Sequence, residues 1–379
     1  MTTSKERFKK ACQYATPDRP PIINILGQNM VWEKLYHYYD IPLPANYLAS
    51  DQPGIRFNGL DSETHEKFMK RIGQDFRLIN PDYIGPPMKI NEDGSWADMW
   101  GTTYKWMPYN GGLYETPVGL PFAGIERVEE LAEHQFPSVE WFDFDTIPKH
   151  CDKYKDYALL TGSPGCMDFI NGIAFGRGVE QVLIDIAVED PVYLFLVEKR
   201  FSFFYDYIKK IFEKAKGAID VVHVGEDLGT QNAPIISPAV FKKLHAPYYE
   251  KFFKMVHSFG AKTSMHSCGS VRDFIPLLID IGLDILDVVQ VDAANMDLAS
   301  LHEEFHKKIM FSGTLSLQNL LSKSTPKEIW DTVMDIRRMF IEGGIILGPC
   351  NIMQMDMPAK SFDTMIRAIQ APLSAEYKE

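Results

Sequence analysis

The chain has 379 residues, 45% hydrophobic and 24% charged, with a formal net charge of −12. This composition is that of a folded globular protein, long enough to bury a core without disulfides, so disorder and a disulfide scaffold are excluded. The negative balance argues against general affinity for nucleic acid or anionic membranes and leaves small molecules and proteins as partners.

Read from the start, the first twenty residues scatter their charges and contain no apolar core of signal-peptide length. No later run approaches the roughly eighteen apolar residues of a membrane span, so a cytoplasmic protein is expected. The first apolar run, PPIINILG near residue 21, predicts a strand ending at Gly27-Gln28-Asn29. Residues 30–155 break the rhythm: they are rich in Trp, Tyr, Pro, Gly and Asp, and read as an irregular N-terminal elaboration capping the rest. Strand-like runs then recur as YALLTGSPG near 157, DVVHVGEDLG near 220, KTSMHSCGS near 262, ILDVVQVD near 285, KIMFSGTLS near 308 and GGIILGPCN near 343. Helical spacing fills the gaps at Pro191 to Ala215, Ser237 to Phe259, Val271 to Ile281 and Pro326 to Glu342. Ser237-Pro238 and Thr325-Pro326 each put a hydroxyl cap before a first-turn proline. So many strand–helix alternations favour an α/β fold closed into a (β/α)8 TIM barrel over an open sheet, with 1–379 as one domain.

A closed barrel brings the C-terminal ends of its strands to one mouth. There the sequence places His266 and Cys268 in Met-His-Ser-Cys-Gly, and Cys350 at the end of Gly-Pro-Cys. One imidazole and two thiolates suit a borderline-soft ion such as Zn²⁺, and three protein ligands leave an open fourth position. The five cysteines lack disulfide-framework spacing, so free thiolates are available. The bland alternative is a histidine satisfied by a backbone carbonyl and two cysteines packed as small apolar residues. Glu226 and Asp227 are adjacent carboxylates after an apolar run, and strand alternation turns one toward the mouth as a candidate catalytic acid or metal neighbour. His223 on the same run reads as a core histidine. Asn24 and Gln28 at the first strand, and Gln290 and Asp292 after the fifth of these runs, are candidate substrate-binding groups; either of the latter pair could instead complete a metal sphere or only tie a loop. Gly162-Ser163-Pro164-Gly165-Cys166 lacks the frame of a nucleophile elbow, and no dinucleotide or Walker fingerprint is present.

The stretches GEDLGTQNAPIISPAVFKKLHAPYYEKFF, GAKTSMHSCGSVRDFIPLLIDIGLDILDVVQVD, FSGTLSLQNLL and GGIILGPC resemble the uroporphyrinogen decarboxylase superfamily, and within it the zinc-dependent corrinoid methyltransferases. That resemblance implies a (β/α)8 barrel with its site at the strand C-termini and one Zn²⁺ on His266, Cys268 and Cys350. It also implies a corrinoid (cobalamin) carried by a separate partner protein, and a small methylated substrate. Decarboxylases of this superfamily carry an arginine segment near the first strand, whereas PPIINILGQNM has none after Arg19. The aromatics Trp96, Trp100, Tyr104, Trp106 and Tyr109 would suit a flat ring, so O-demethylation of a methoxylated aromatic is the leading expectation. A methylcorrinoid:thiol transferase of the coenzyme M type and a zinc-free lyase are the alternatives.

Overall fold

The computed structural model describes residues 2–23, 29–43, 63–87, 90–109 and 112–378. Seven parallel strands form the central sheet, in the order Phe76–Leu78, Ala158–Met167, Val221–Gly225, Lys262–His266, Ile285–Asp287, Met310–Ser312 and Ile345–Ile346. The segment around Ile22 joins its two edges. Asp75 N donates to Ile22 O on one side (3.1 Å), and on the other Ile23 N reaches Leu347 O (3.0 Å) while Leu347 N reaches Pro21 O (2.9 Å). Eight staves therefore close into the expected α/β barrel.

The helices on its outside follow the sequence signals. Pro191–Ala215 starts at Asp190, whose carboxylate accepts from the Val192 and Tyr193 amides, and Pro326–Met339 starts at a Thr325–Glu328 capping box. Their apolar stripes pack on the outward faces of the strands in one large core. A second apolar cluster, with Phe76, Leu160, Val221, Ile285, Met310 and Ile346, fills the barrel interior, and Phe8 of the helix Ser4–Cys12 packs into it.

The Phe76–Leu78 strand lies inside 30–155, the span expected to be irregular. It carries a buried arginine at its centre: Arg77 bonds Glu66 (2.8 Å) and the Gln74 and Phe76 carbonyls, and its guanidinium lies 3.8 Å from the centre of the Tyr157 ring. Elsewhere in that span, a three-stranded antiparallel sheet of Trp96–Ala97, Thr103–Tyr109 and Gly112–Gly119 stands apart from the barrel sheet. Its aromatics serve each other. Trp96 is fully buried between Tyr104 and Trp106, with ring centres 6.3 and 5.3 Å away, and Trp100 packs on Phe203 and Phe204 of the Pro191–Ala215 helix.

Candidate functional site

Strand alternation and register build the site. On four neighbouring strands the inward positions turn polar toward the C-terminal ends: His223; Ser264 and His266; Asp287; Ser312. The pairings His223↔Ser264, His266↔Asp287 and Asp287↔Ser312 set them side by side. His223 Nδ1 bonds Ser264 Oγ at 3.1 Å, and its Nε2, 3.5 Å from Asp287 Oδ2, has no hydrogen-bond partner among the described residues. Burial depresses its pKa to about 4, so the ring is neutral at physiological pH.

His266 Nδ1 lies 3.3 Å from Asp287 Oδ2, and its Nε2 lies 3.3 Å from Cys268 Sγ. Burial opposes a charge on this imidazole, but the Asp287 carboxylate, the Cys268 thiol and the Asp227 carboxylate outweigh it and raise its pKa well above the usual value. Conversely, Asp287 is buried yet held below the usual carboxylate range by His266 and His223. A field that holds a proton on His266 Nε2 also favours a cation in its place. Asp227 completes the cluster: its Oδ1 lies 3.8 Å from His266 Nε2 and accepts the Cys268 amide at 2.8 Å, while its Oδ2 accepts from Asn171 Nδ2 at 2.7 Å. Ligand atoms of Asp227, His266 and Cys268 lie within 4.8 Å of one another.

These donors fit zinc. A tetrahedral ion with Zn–N near 2.0 Å and Zn–S near 2.3 Å separates nitrogen from sulfur by about 3.5 Å, close to the spacing found. Asp287 behind His266 is the carboxylate–histidine arrangement that fixes the tautomer with a free lone pair on Nε2. Cys350 stands differently. Its thiol accepts the Leu317 amide at 3.4 Å, burial pushes its pKa up to about 11, and among the described residues it belongs to no such cluster within 4.8 Å. The Cys268 sulfur adds to that rise, and the next residue touches it: Asn351 Nδ2 donates to Cys268 Sγ at 3.1 Å.

The other expected site residues hold the mouth together. Glu226 is fully buried, accepting from the Phe169 and Ile170 amides (3.0 and 2.9 Å) and from the Tyr249 hydroxyl (2.7 Å). It points away from the mouth, and of the adjacent pair Asp227 alone joins the cluster. Gln290 ties loops, accepting from the Gly269 amide and donating to Gln231, both at 3.0 Å. Asp292 accepts from Ser316 and from Asn319 Nδ2. Asn24 and Gln28 lie outside the described residues. Sequence reasoning missed Asp287 and Asn351, and only the cross-strand register, or proximity of the last strand-end loop, marks them. It also missed Asp168, buried at the end of the Ala158–Met167 strand, whose carboxylate accepts the Asn171 amide at 3.0 Å. Burial and the neighbouring Asp227 raise its pKa to about 7.

Comparison with known proteins fits this architecture. Among solved structures, a methyltransferase from Methanosarcina mazei superposes with a TM-score of 0.64 at 14% identity, covering 97% of this chain and 98% of that one. A 3-keto-D-glucoside 4-epimerase from E. coli (TM-score 0.39, 11% identity, 60% and 88% covered) and Dispersin B (0.38, 14%, 80% and 92%) superpose too loosely to carry an argument. No curated protein matches the chain in sequence. The family model for uroporphyrinogen decarboxylase (URO-D) matches residues 174–372, a span that contains the His266–Cys268 pair, both carboxylates of Glu226-Asp227 and Cys350. With more than half its length in that match and the barrel to go with it, this chain belongs to the uroporphyrinogen decarboxylase family.

Proposed function

We propose that the protein is a zinc-dependent methyltransferase that moves a methyl group between a methylated small molecule and the cobalt of a separate corrinoid protein. The observation that carries this reading is the His266–Cys268–Asp227 cluster at the C-terminal mouth of the barrel, with Asp287 behind the histidine. Decarboxylation of a polycarboxylate is disfavoured by the state of the buried and half-buried arginines among the described residues. Arg7, Arg19, Arg77 and Arg177 are each held by carboxylates, Arg200 by the Met167, Gly172 and Gly165 carbonyls, and Arg337 by those of Ala368 and Ala371.

Zinc, when bound, supplies Lewis acidity toward the oxygen or sulfur that loses or gains the methyl group. His266 and Cys268 would hold it, with Asp227 or Cys350 as third donor. Asp287 orients the imidazole through Nδ1, and Asn351 donates to the Cys268 sulfur and fixes its direction. Asp227, pinned by the Cys268 amide and Asn171, is the carboxylate beside His266 Nε2 and the one placed to take or give a proton there. Glu226 positions the turn at Phe169–Ile170 and does not touch substrate.

The test combines metal content with two assays on the purified protein: methyl-cobalt formation from methoxyarenes with reduced cobalamin, and demethylation of methylcobalamin by thiols. Activity in either direction, lost with zinc in a folded Cys268→Ala variant, supports the reading. The first assay assigns an ether substrate and the second a thiol. Well-folded protein that binds no zinc and is inert in both assays, with its cognate corrinoid protein supplied, overturns it.

A further inference from the structure

Arg200, on the Pro191–Ala215 helix, is a buried cation that the proposed reaction does not use. It is 5% exposed, and among the described residues no carboxylate pairs with it directly; the charges of Asp168 and Asp98 act on it through space. Its guanidinium donates to three backbone carbonyls instead: Nε to Met167 O (3.0 Å), Nη1 to Gly172 O (3.2 Å) and Nη2 to Gly165 O (3.0 Å). Trp100, in the turn between the Trp96–Ala97 and Thr103–Tyr109 strands, and Phe204 cover it, with ring centres 4.7 and 5.3 Å from Cζ. Burying such a charge is costly, and an apolar side chain of similar volume would fill the space without that cost. What the charge adds is a rigid fork of donors.

The chain held by the fork is irregular. Between the pairings Gly162↔His223 and Met167↔Gly225, Ser163, Pro164, Gly165 and Cys166 bulge out opposite Val224 alone. Met167 and Asp168 then take φ of 67° and 24°, in the left-handed region where non-glycine residues stay only if their surroundings hold them. Bulges next to active sites re-aim side chains. Here the side chain re-aimed is that of Asn171: Asp168 accepts its backbone amide (3.0 Å), and its Nδ2 reaches Asp227 Oδ2 (2.7 Å). Glu226 holds the middle of the segment 168–171, and Arg200 brackets its ends. The fit at Gly172 is tight, since a Cβ there would lie 2.2 Å from Arg200 Nη2. We propose that Arg200 is a positioning residue of the mouth, which fixes Asn171 by gripping the chain on both sides of it and through Asn171 aims Asp227 at His266 and Cys268. Trp100 brings the N-terminal elaboration into the same arrangement, because its ring keeps water from competing for the guanidinium.

This inference deepens the proposed function and rests on it for only one of two measurements. The first needs no metal: residue-resolved amide hydrogen exchange of the full chain, read at Cys268, whose N–H donates to Asp227 Oδ1 (2.8 Å). Arg200→Lys keeps the charge but cannot fork to three carbonyls, and should speed that exchange by about tenfold or more. Asp227→Ala should do the same, and adding Arg200→Lys to it should change the rate by no more than about twofold, since both act along one line. The Phe311 amide on the far wall, bonded to Gly344 O, should keep its protection. A core residue without a positioning role would loosen both amides and add its effect in either background. Asn171→Ala removes the link without disturbing a buried charge, and decides the matter if Arg200→Lys fails to fold: it should reproduce the Cys268 acceleration. The second measurement is zinc affinity, which Arg200→Lys should lower about tenfold in the wild-type background and by no more than about twofold in Asp227→Ala. Unchanged Cys268 exchange in Arg200→Lys or in Asn171→Ala overturns the proposal, as does an equal acceleration, or an equal zinc loss, with and without the Asp227 side chain. Protein that gives the expected exchange but takes up no zinc supports the proposal and counts against the metal reading alone.

Discussion

Removing the Asp287 carboxylate tests whether the mouth is built to hold a metal. Its Oδ2 sits 3.3 Å from His266 Nδ1 and 3.5 Å from His223 Nε2, and the residue is 6% exposed, so little water can replace it. Partners of this kind behind a metal-bound histidine contribute about 10–100-fold in affinity, or about 1.4–2.8 kcal/mol. Asp287→Ala removes both the acceptor and the charge and should show the full loss. Asp287→Asn keeps an acceptor oxygen but not the charge, and is expected to lose roughly tenfold. Competition with a chromophoric chelator gives the zinc affinity, and the visible bands of a cobalt(II) substitute report whether the coordination geometry survives. Zinc affinity in Asp287→Ala within about twofold of wild type would refute the orienting role. The comparison requires that Cys268→Ala lose zinc in the same titration, because that shows the metal lies at this site.

Cys268→Ala should cost more zinc affinity than either Asp287 change, and Asp227→Asn should cost more than Cys350→Ala, since Asp227 belongs to the cluster with His266 and Cys268; the same titration ranks them. Asp168 and Glu226 are both buried, and burial raises them to about 7 and about 8, with the Asp227 charge adding to the rise of Asp168 and the Asp168 charge to that of Glu226. The native pair therefore keeps proton that the unfolded chain releases above its ordinary carboxylate range near 4. Its contribution is complete below that range and is lost as pH rises through 7–8. Urea unfolding at pH 5.5 and 8.5 should give less loss of stability for Asp168→Asn than for wild type, and an unchanged difference contradicts the assignment. Gly225→Ala should cost more than about 3 kcal/mol or prevent folding, because its Cβ would lie 1.8 Å from Pro164 O, a rigid backbone atom; thermal unfolding checks it.

Much of the barrel was legible because its strands are apolar runs between helices with clear caps. The seven runs read from the sequence became six strands and the Ile22 closing segment. Phe76–Leu78 escaped because only three residues pair and the middle one is Arg77, whose charge is answered by Glu66, a residue eleven positions away. The proximity of His266 and Cys268 was legible since the two flank one turn. Asp287 was hidden by a different obstacle: its strand reads as an apolar run, and only the pairing His266↔Asp287 gives its carboxylate a purpose. Composition reports large rings but not which faces are free: Trp96, Trp100 and Tyr104 are spent in packing, whereas Tyr109 is 54% exposed on the hairpin.

Glu226 and Asp227 show how one turn can serve two ends. Alternation sends the first into the wall and the second to the mouth. In the wall, Glu226 gathers the Phe169 and Ile170 amides, so the loop after the Ala158–Met167 strand is clamped to the loop after Val221–Gly225. At the mouth, Asp227 bonds Asn171 from that same loop and the Cys268 amide from the next strand end. Three consecutive strand ends are thereby linked by the protein's own groups, and Gln290 adds a fourth by holding Gly269. A site tied in this way does not have to organise its loops on binding, which is the condition for holding ligands within a few tenths of an ångström. It follows that Glu226, although it faces away from the reacting atoms, controls where Asp227 and Cys268 sit, and that damage to it should be felt first as a loosened metal rather than as lost chemistry.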